Sequence, residues 1–278
     1  MSRIFSPVLQ LEDVTVDYIG NATGHPALDR ISLVVEQGTW VAVAGDNGSG
    51  KSTLAKAAAG LSPLTDGKVI TADGIRVHMV MQHPEIQILG ETVYEEIWLS
   101  LPEDSPAAVT EREAQMKRYL RESGLQHVPL HTPVRLLSGG QKQLLNIACC
   151  LAAGADVLLF DESLSMLDPS SRSLVLEAAS RLHAKGTTIL WISHRMEELV
   201  YADRILLLEE GRLAYDGTPV DFFYGNAVTG QLSPCESFGL EPPLTVQTVK
   251  ELHKYGVDWP ERPLTPDQLA KAVNLLCR

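Results

Sequence analysis

The chain has 278 residues, 45% of them hydrophobic, and a net charge of −12 from 23 Lys+Arg against 35 Asp+Glu. That length fits one large α/β domain with a small appendage, and the acidic balance, with no Lys/Arg-rich block, argues against a nucleic-acid-binding surface. No run approaches the ~20 apolar residues of a membrane span, and Met1 to Pro7 carries no long apolar region, so no signal peptide is expected.

Val8 to Tyr18 reads as a strand with a break, Leu9 and Leu11 alternating first and Val14, Val16 and Tyr18 after it. Gly20 to Gly24 is a turn-rich loop. A second strand-like run spans Ala27 to Glu36, and Gln37-Gly38 turns it into Trp40-Val41-Ala42-Val43-Ala44, a buried strand. Next comes Gly45-Asp46-Asn47-Gly48-Ser49-Gly50-Lys51-Ser52-Thr53, a phosphate-binding loop pattern, and then strong helix formers from Leu54 to Ala59. The glycines let backbone N–H groups turn onto phosphate oxygens, and the helix start adds its own free N–H groups and dipole. Lys51 supplies a charge for the β- and γ-phosphates, and Ser52 offers a hydroxyl to Mg²⁺. A chance match is the competing reading, and the strand before and helix after count against it. Tyr18, near the nucleotide site, is the candidate to stack on adenine; a packed strand aromatic is the alternative.

Pro63 and Asp66-Gly67 mark turns, and Val77 to Met81 is a short apolar run stopped by Gln82-His83-Pro84. A Gln at a strand end beside phosphate can ligand Mg²⁺ or hold water; alone, Gln82 reads as a polar loop residue. Residues 91–136 form a mostly helical insertion. Thr92-Val93-Tyr94-Glu95 and Thr110-Glu111-Arg112-Glu113 each read as a capping box, with Asp104-Ser105-Pro106 between the two helices and Gly124 ending the second. Leu137-Ser138-Gly139-Gly140-Gln141 opens a further helix and a second anion site. Of the four cysteines, Cys149-Cys150 lie in this helix and read as buried small residues; Cys235 and Cys277 make no CxxC pattern with them, which suits a reducing compartment.

Val157 to Glu162 is an apolar central strand ending in two carboxylates: Asp161 can hold Mg²⁺ or its water shell, and Glu162 can orient and activate water. Ser165-Met166-Leu167-Asp168 follows. Thr187 to His194 is another apolar strand, ending in a lone imidazole of the kind that is usually structural. Ile205 to Leu208 and Arg212 to Tyr215 form a hairpin through Glu210-Gly211. Past a linker at Glu241-Pro242-Pro243 come two short helices, the second opened by Thr265-Pro266-Asp267-Gln268 and carrying Leu269, Val273 and Leu276 as an apolar stripe.

The ordered set over residues 8–220 (phosphate loop, Gln82, the Leu137–Gln141 signature, Asp161-Glu162, Ser165–Asp168 and His194) resembles an ABC-type ATPase. The resemblance implies an α/β P-loop NTPase core with an N-terminal antiparallel β subdomain, a helical insertion and a small C-terminal helical appendage. The expected boundaries are an ATPase domain over 1–232, with its helical subdomain at about 88–153, and the appendage over 233–278. It implies ATP and Mg²⁺ as ligands, with Ser52, Gln82 and Asp161 serving the metal. Glu162, Gln82 and His194 are the implied catalytic groups, with His194 on the γ-phosphate. Leu137, Ser138, Gly139, Gly140 and Gln141 would act on nucleotide held by a second ATPase subunit, and Asp168 would lie at the dimer contact.

A finer resemblance rests on Met81 to Gln87, Thr92-Val93, Glu95-Glu96, Pro242-Pro243 and Leu252 to Gly256, which are similar to energy-coupling factor transporter ATPases. That family implies a peripheral protein on the cytoplasmic face of the cell membrane. Its partners would be a transmembrane coupling subunit and a substrate-binding membrane protein for vitamins or transition-metal ions, with no nucleic acid. Glu85, Glu91, Glu95 and Glu96 are then expected to face arginines of a partner helix. Departures from the family pattern are Ser163 where proline is usual, Leu144 for an Arg, Arg195 for an Asp, and Leu99-Ser100 for Phe-Gly. The competing readings are another ABC transporter class, or an ABC ATPase of DNA repair or translation. The short insertion and single cassette count against the latter.

Overall fold

The computed structural model describes residues 6–18, 25–103, 108–225, 232–257, 259 and 261–276. The expected loop at 20–24, the separator at 104–106, Cys277 and the side chain of Leu276 lie outside the described residues.

Strands β1 (Pro7–Val16), β2 (Leu28–Glu36) and β4 (Asp66–Thr71) make an antiparallel sheet in the order β2-β1-β4. The expected break in β1 is a register shift between Leu11 and Val14, with Asp13 at φ 48°. Asp66-Gly67, expected as a turn, instead opens β4. Most of β4 is exposed, and only Val69 and Ile70 interrupt its polar sequence, so its apolar pattern is faint.

The second sheet runs β5 (Val77–Val80), β6 (Val157–Asp161), β7 (Thr188–Ile192), β3 (Trp40–Ala44), β8 (Arg204–Glu209), β9 (Arg212–Gly217). The first five are parallel, and β9 pairs antiparallel with β8 at the edge. Strands β3 and β7 are buried along their whole length, as expected for parallel strands covered on both faces. This arrangement decides the site. The carboxyl ends of β3, β5, β6 and β7 all open on one edge, where open α/β sheets bind ligands.

Helix α1 (Lys51–Ala58) follows β3. The insertion holds α2 (Val93–Ser100), α3 (Val109–Ser123) and α4 (Gly139–Ala152). Thr92 and Glu95 form both halves of the capping box expected at α2. The second expected box is absent. Helix α3 is already under way at Ala108, whose carbonyl accepts from Arg112 N at 3.1 Å, so Thr110 sits inside the first turn and cannot cap it. Gly124 closes α3 in the left-handed conformation.

Several helices go beyond the expectations, three in the body of the protein among them. Helix α5 (Pro169–Ala184) buries Ser171, Val175, Ala178, Ala179 and Leu182, a helical spacing present in the sequence. Helix α7 (Pro219–Tyr224) follows the one-turn α6 (Met196–Leu199) and the hairpin.

At the C-terminal end lie α8 (Pro234–Ser237), α9 (Leu244–Lys254) and α10 (Pro266–Leu276). The expected Thr265–Gln268 cap is present, with 3.3 Å bonds in both directions. Cys235, Val246, Val249 and Leu264 join the same apolar cluster as Trp40 and Phe160, so this segment packs on the body of the protein. Among the described residues no helix is long and apolar enough to cross a membrane.

Candidate nucleotide site

The phosphate loop is built by a close approach. A Cβ on Gly45 (φ 139°) would lie 2.2 Å from the carbonyl oxygen of Leu208 on the neighbouring strand, so only glycine fits where β3 enters the loop. Gly50 (φ 103°) precedes the first turn of α1, and Lys51, only 4% exposed, sits in that turn. Lys51 Nζ donates to the carbonyls of Gly45 at 2.8 Å and Asp46 at 2.7 Å, folding back over the loop. Burial pushes the Lys51 ammonium below the usual lysine range, while Glu162, Asp46 and Asp161 oppose that shift. The hydroxyl of Ser49 is buried without a hydrogen-bond partner among the described residues. A cradle with a buried, cation-bearing side chain and a spare donor fits a phosphate group.

Ser52 Oγ donates to Asp161 Oδ1 at 2.8 Å, so two of the three expected metal residues meet across the loop and the end of β6. Burial pushes the Asp161 carboxyl upward, partly offset by the Ser52 hydrogen bond. Oxygen donors of this kind suit a hard divalent cation such as Mg²⁺.

Glu162 follows with φ 46°, a left-handed conformation that costs a non-glycine residue about 1–3 kcal/mol and that clusters at functional sites. Its Oε1 stands 3.9 Å from His194 Nδ1, at the end of β7. Gln82, after β5, donates to Ser165 Oγ at 2.9 Å.

One open cleft of ≈ 400 Å³ collects these groups: Gly45, Asp46, Asn47, Gln82, Glu162, Ser165, Met166, His194, Met196 and Leu240 line it. Leu240 comes from the C-terminal segment, and nothing in its sequence context signalled that position. Gly48 and Ser49 line the neighbouring pocket with Phe238 and Leu240. Tyr18 lies beyond the end of β1, 44% exposed, its hydroxyl 3.5 Å from Thr53 Oγ1.

The signature lies apart from this cleft. Ser138 caps α4, accepting from Gln141 N, while Gln141 Oε1 accepts from Ser138 N at 2.9 Å. Ser138, Gly139 and Gln141 are exposed or half-buried at the helix start, and Leu137 is buried behind them. A Cβ on Gly140 would fall 2.5 Å from Ser171 Cβ, so glycine lets α4 and α5 touch. Asp168 caps α5 through the amides of Ser170 and Ser171, both at 3.0 Å, and those bonds hold its carboxyl far below the usual range.

Of the four acidic residues expected to face a partner's arginines, Glu85, Glu91 and Glu95 are exposed and Glu96 is not. Glu96 is 5% exposed, and its Oε2 accepts from Leu89 N at 2.8 Å and Gly90 N at 2.6 Å. Glu95 Oε2 accepts from Glu91 N and Thr92 N, and Glu85 pairs with Lys142 of α4 at 2.9 Å. Carboxylates in a first helical turn are drawn to free backbone N–H groups.

Comparison with known proteins agrees with this geometry. The ABC transporter family matches residues 28–165. An energy-coupling factor transporter ATP-binding protein, EcfA of Methanosarcina acetivorans, is 38% identical, the match covering 96% of this chain and 97% of that protein. The chain belongs to the energy-coupling factor group of ABC transporter ATP-binding proteins. As an ABC ATPase it binds and hydrolyses ATP to energise transport. Its fold is shared with cbiO1 of Clostridium perfringens, part of the ABC transporter complex cbiONQ, at TM-score 0.71 and 24% identity over 89% of this chain and 99% of that one. It is shared also with a dimeric ATP-binding cassette bound to ADP and Pi, at TM-score 0.66 and 23% identity over 76% and 98%.

The departures from the ABC pattern find places in the structure. Leu144 is buried in the core of the insertion. Arg195 lies 3.5 Å from the buried Glu198 carboxylate, which also faces Arg172 at 3.6 Å. Ser163 is buried, and its carbonyl accepts from Gln143.

Proposed function

We propose that this chain is the ATP-hydrolysing subunit of an energy-coupling factor importer for a vitamin or transition-metal ion. It would work as one of two ATPase chains at the cytoplasmic face of the membrane, beneath a coupling subunit and a substrate-binding membrane protein. The observation that carries the reading is the separation within one chain. The phosphate loop, Gln82, Glu162 and His194 share a cleft, and among the described residues the signature helix start is not part of its lining. A signature that acts on phosphate therefore needs a second chain.

In this reading the amides of Gly45 to Thr53 and the Lys51 ammonium hold the phosphates, and Tyr18 stacks on the base. Ser52, Asp161 and Gln82 would hold Mg²⁺, whose chemistry when bound would be to neutralise charge on the phosphate oxygens. Glu162 accepts a hydrogen bond from the attacking water and makes it more nucleophilic, and His194 donates to the γ-phosphate. Asp168 sets the start of α5 at the contact between chains. The segment after Gln82 presents Ile86 and Leu89, and α2 presents Leu99, each more than 60% exposed. An apolar helix face from the coupling subunit suits these side chains, with the exposed Glu85, Glu91 and Glu95 able to meet basic groups along its flank.

Mixing Lys51→Ala chains with Ser138→Arg chains tests the arrangement. In a homodimer one composite site carries both defects and the other neither, so hydrolysis should recover in part. No recovery between chains shown to exchange, together with full activity of an isolated monomer, removes the two-chain reading. Co-purification with a membrane subunit separates transport from other ABC functions.

A further inference from the structure

Helix α4 buries Leu144, Leu145, Ile147 and Ala148, yet it also buries two amides, Gln143 at 0% and Asn146 at 3% exposure. Buried amide donors persist when hydrogen-bonded, and both of these are, although Gln143 Oε1 has no partner among the described residues. Gln143 Nε2 donates to Met81 O at 2.9 Å and to Ser163 O at 3.1 Å. Met81 immediately precedes Gln82, and Ser163 immediately follows Glu162. One buried amide thus pins the backbone beside both cleft residues.

Asn146 and Gln87 complete a clip. Asn146 Nδ2 reaches Pro84 O at 3.4 Å and Gln87 Oε1 at 3.3 Å. Gln87 Oε1 accepts from Met81 N at 2.9 Å, and Gln87 Nε2 donates to Met79 O at 2.7 Å. Both backbone polar groups of Met81 are therefore held by side chains. The clip is anchored on the helix that Ser138 begins, five residues or roughly 7.5 Å along the axis from Gln143.

We propose that Gln143 is a positioning residue, joining the signature helix to the backbone that carries Gln82 and Glu162, so that the start of α4 and the chain's own hydrolytic groups move as one body. Where the signature meets nucleotide on a second chain, as in the function proposed above, this joint carries the state of the partner's site to this one. The purely structural alternative is that Gln143 only satisfies two carbonyls; it predicts a loss of stability with no selective change in turnover or local exchange.

The test replaces Gln143 with Met, close in length but without a donor. In Gln143→Met, kcat for MgATP should fall at least tenfold, with KM and nucleotide affinity within threefold of the original. Amide hydrogen exchange over residues 79–90 should speed at least tenfold in the isolated chain, while β3 amides keep their rates. If Gln143→Met does not fold, Gln87→Met at a half-buried position removes the clip from the loop side and is read the same way. Turnover within twofold of the original overturns the proposal, and so does reduced turnover with unchanged exchange over 79–90. Loss of complementation in the mixing experiment, with the exchange change intact, would count against the two-chain reading and leave the joint standing.

Discussion

Two adjacent carboxylate pairs, Asp161-Glu162 in the nucleotide cleft and Glu95-Glu96 in the helical insertion, look alike in the sequence and behave in opposite ways. Asp161-Glu162 ends a buried parallel strand, and among the described residues no backbone amide donates to either carboxylate. The Asp161 carboxylate accepts from the Ser52 hydroxyl, and Glu162 has His194 at 3.9 Å. Glu95-Glu96 lies in the first turn of α2, where unpaired N–H groups converge, and four backbone amides take up its oxygens. A carboxylate pair is available for chemistry only where its own backbone leaves the oxygens free. Secondary structure decides this before any partner arrives.

The sharpest way to break the comparison is Glu162→Gln. If the side chain serves water and not the fold, kcat should drop by about 10²–10⁴-fold while ATP still binds and the unfolding midpoint stays put. Single-turnover hydrolysis beside a thermal melt reads both. Turnover near the original rate would place the base elsewhere.

Glu96→Ala should give the converse. It strips two charge-assisted bonds from the amides of Leu89 and Gly90, next to a carboxylate only 5% exposed. The expected cost is about 2–4 kcal/mol in urea unfolding, with turnover per folded molecule nearly unchanged. A variant as stable as the original but unable to join a membrane subunit would restore the docking role for this residue.

The contrast also explains what could be read in advance. Strands β3, β6 and β7 were legible because burial on both faces demands continuous apolar runs, and the proposed catalytic groups sit where those runs stop. The signature was read from its glycines and from the family resemblance, and the structure adds a packing use for one of them, since Gly140 lets α4 touch Ser171 of α5. The faint strand β4 was missed because an edge strand facing solvent keeps little apolar pattern. The direction of Glu96 was misjudged because the Thr92 capping box was recognised without asking where the acidic side chain one position further on finds its own backbone amides. The Gln143 joint leaves one local trace, two amides on a buried helix face, but its partners are carbonyls 62 and 20 residues away. Leu240 leaves none: its place in the cleft depends on how the C-terminal segment packs.

The smallest expected effect is at Glu95, and it refines the comparison within the insertion itself. Glu95 is exposed, and its Oε2 accepts from Glu91 N at 2.9 Å and Thr92 N at 3.1 Å as half of a reciprocal cap. Glu95→Gln keeps an acceptor oxygen but removes the negative charge at the positive end of α2, which is worth about 0.3–1 kcal/mol and is weakened by salt. Glu95→Ala removes the acceptor as well, at about 1 kcal/mol. Urea unfolding at low and high salt should therefore rank Glu95→Ala below Glu95→Gln, with the Gln variant approaching the original as salt rises. ATP turnover should stay within twofold in both, since no atom of Glu95 lines the cleft. If both variants matched the original in stability while losing a membrane partner, the exposed face of Glu95 would be a docking group, and only Glu96 would belong to the fold.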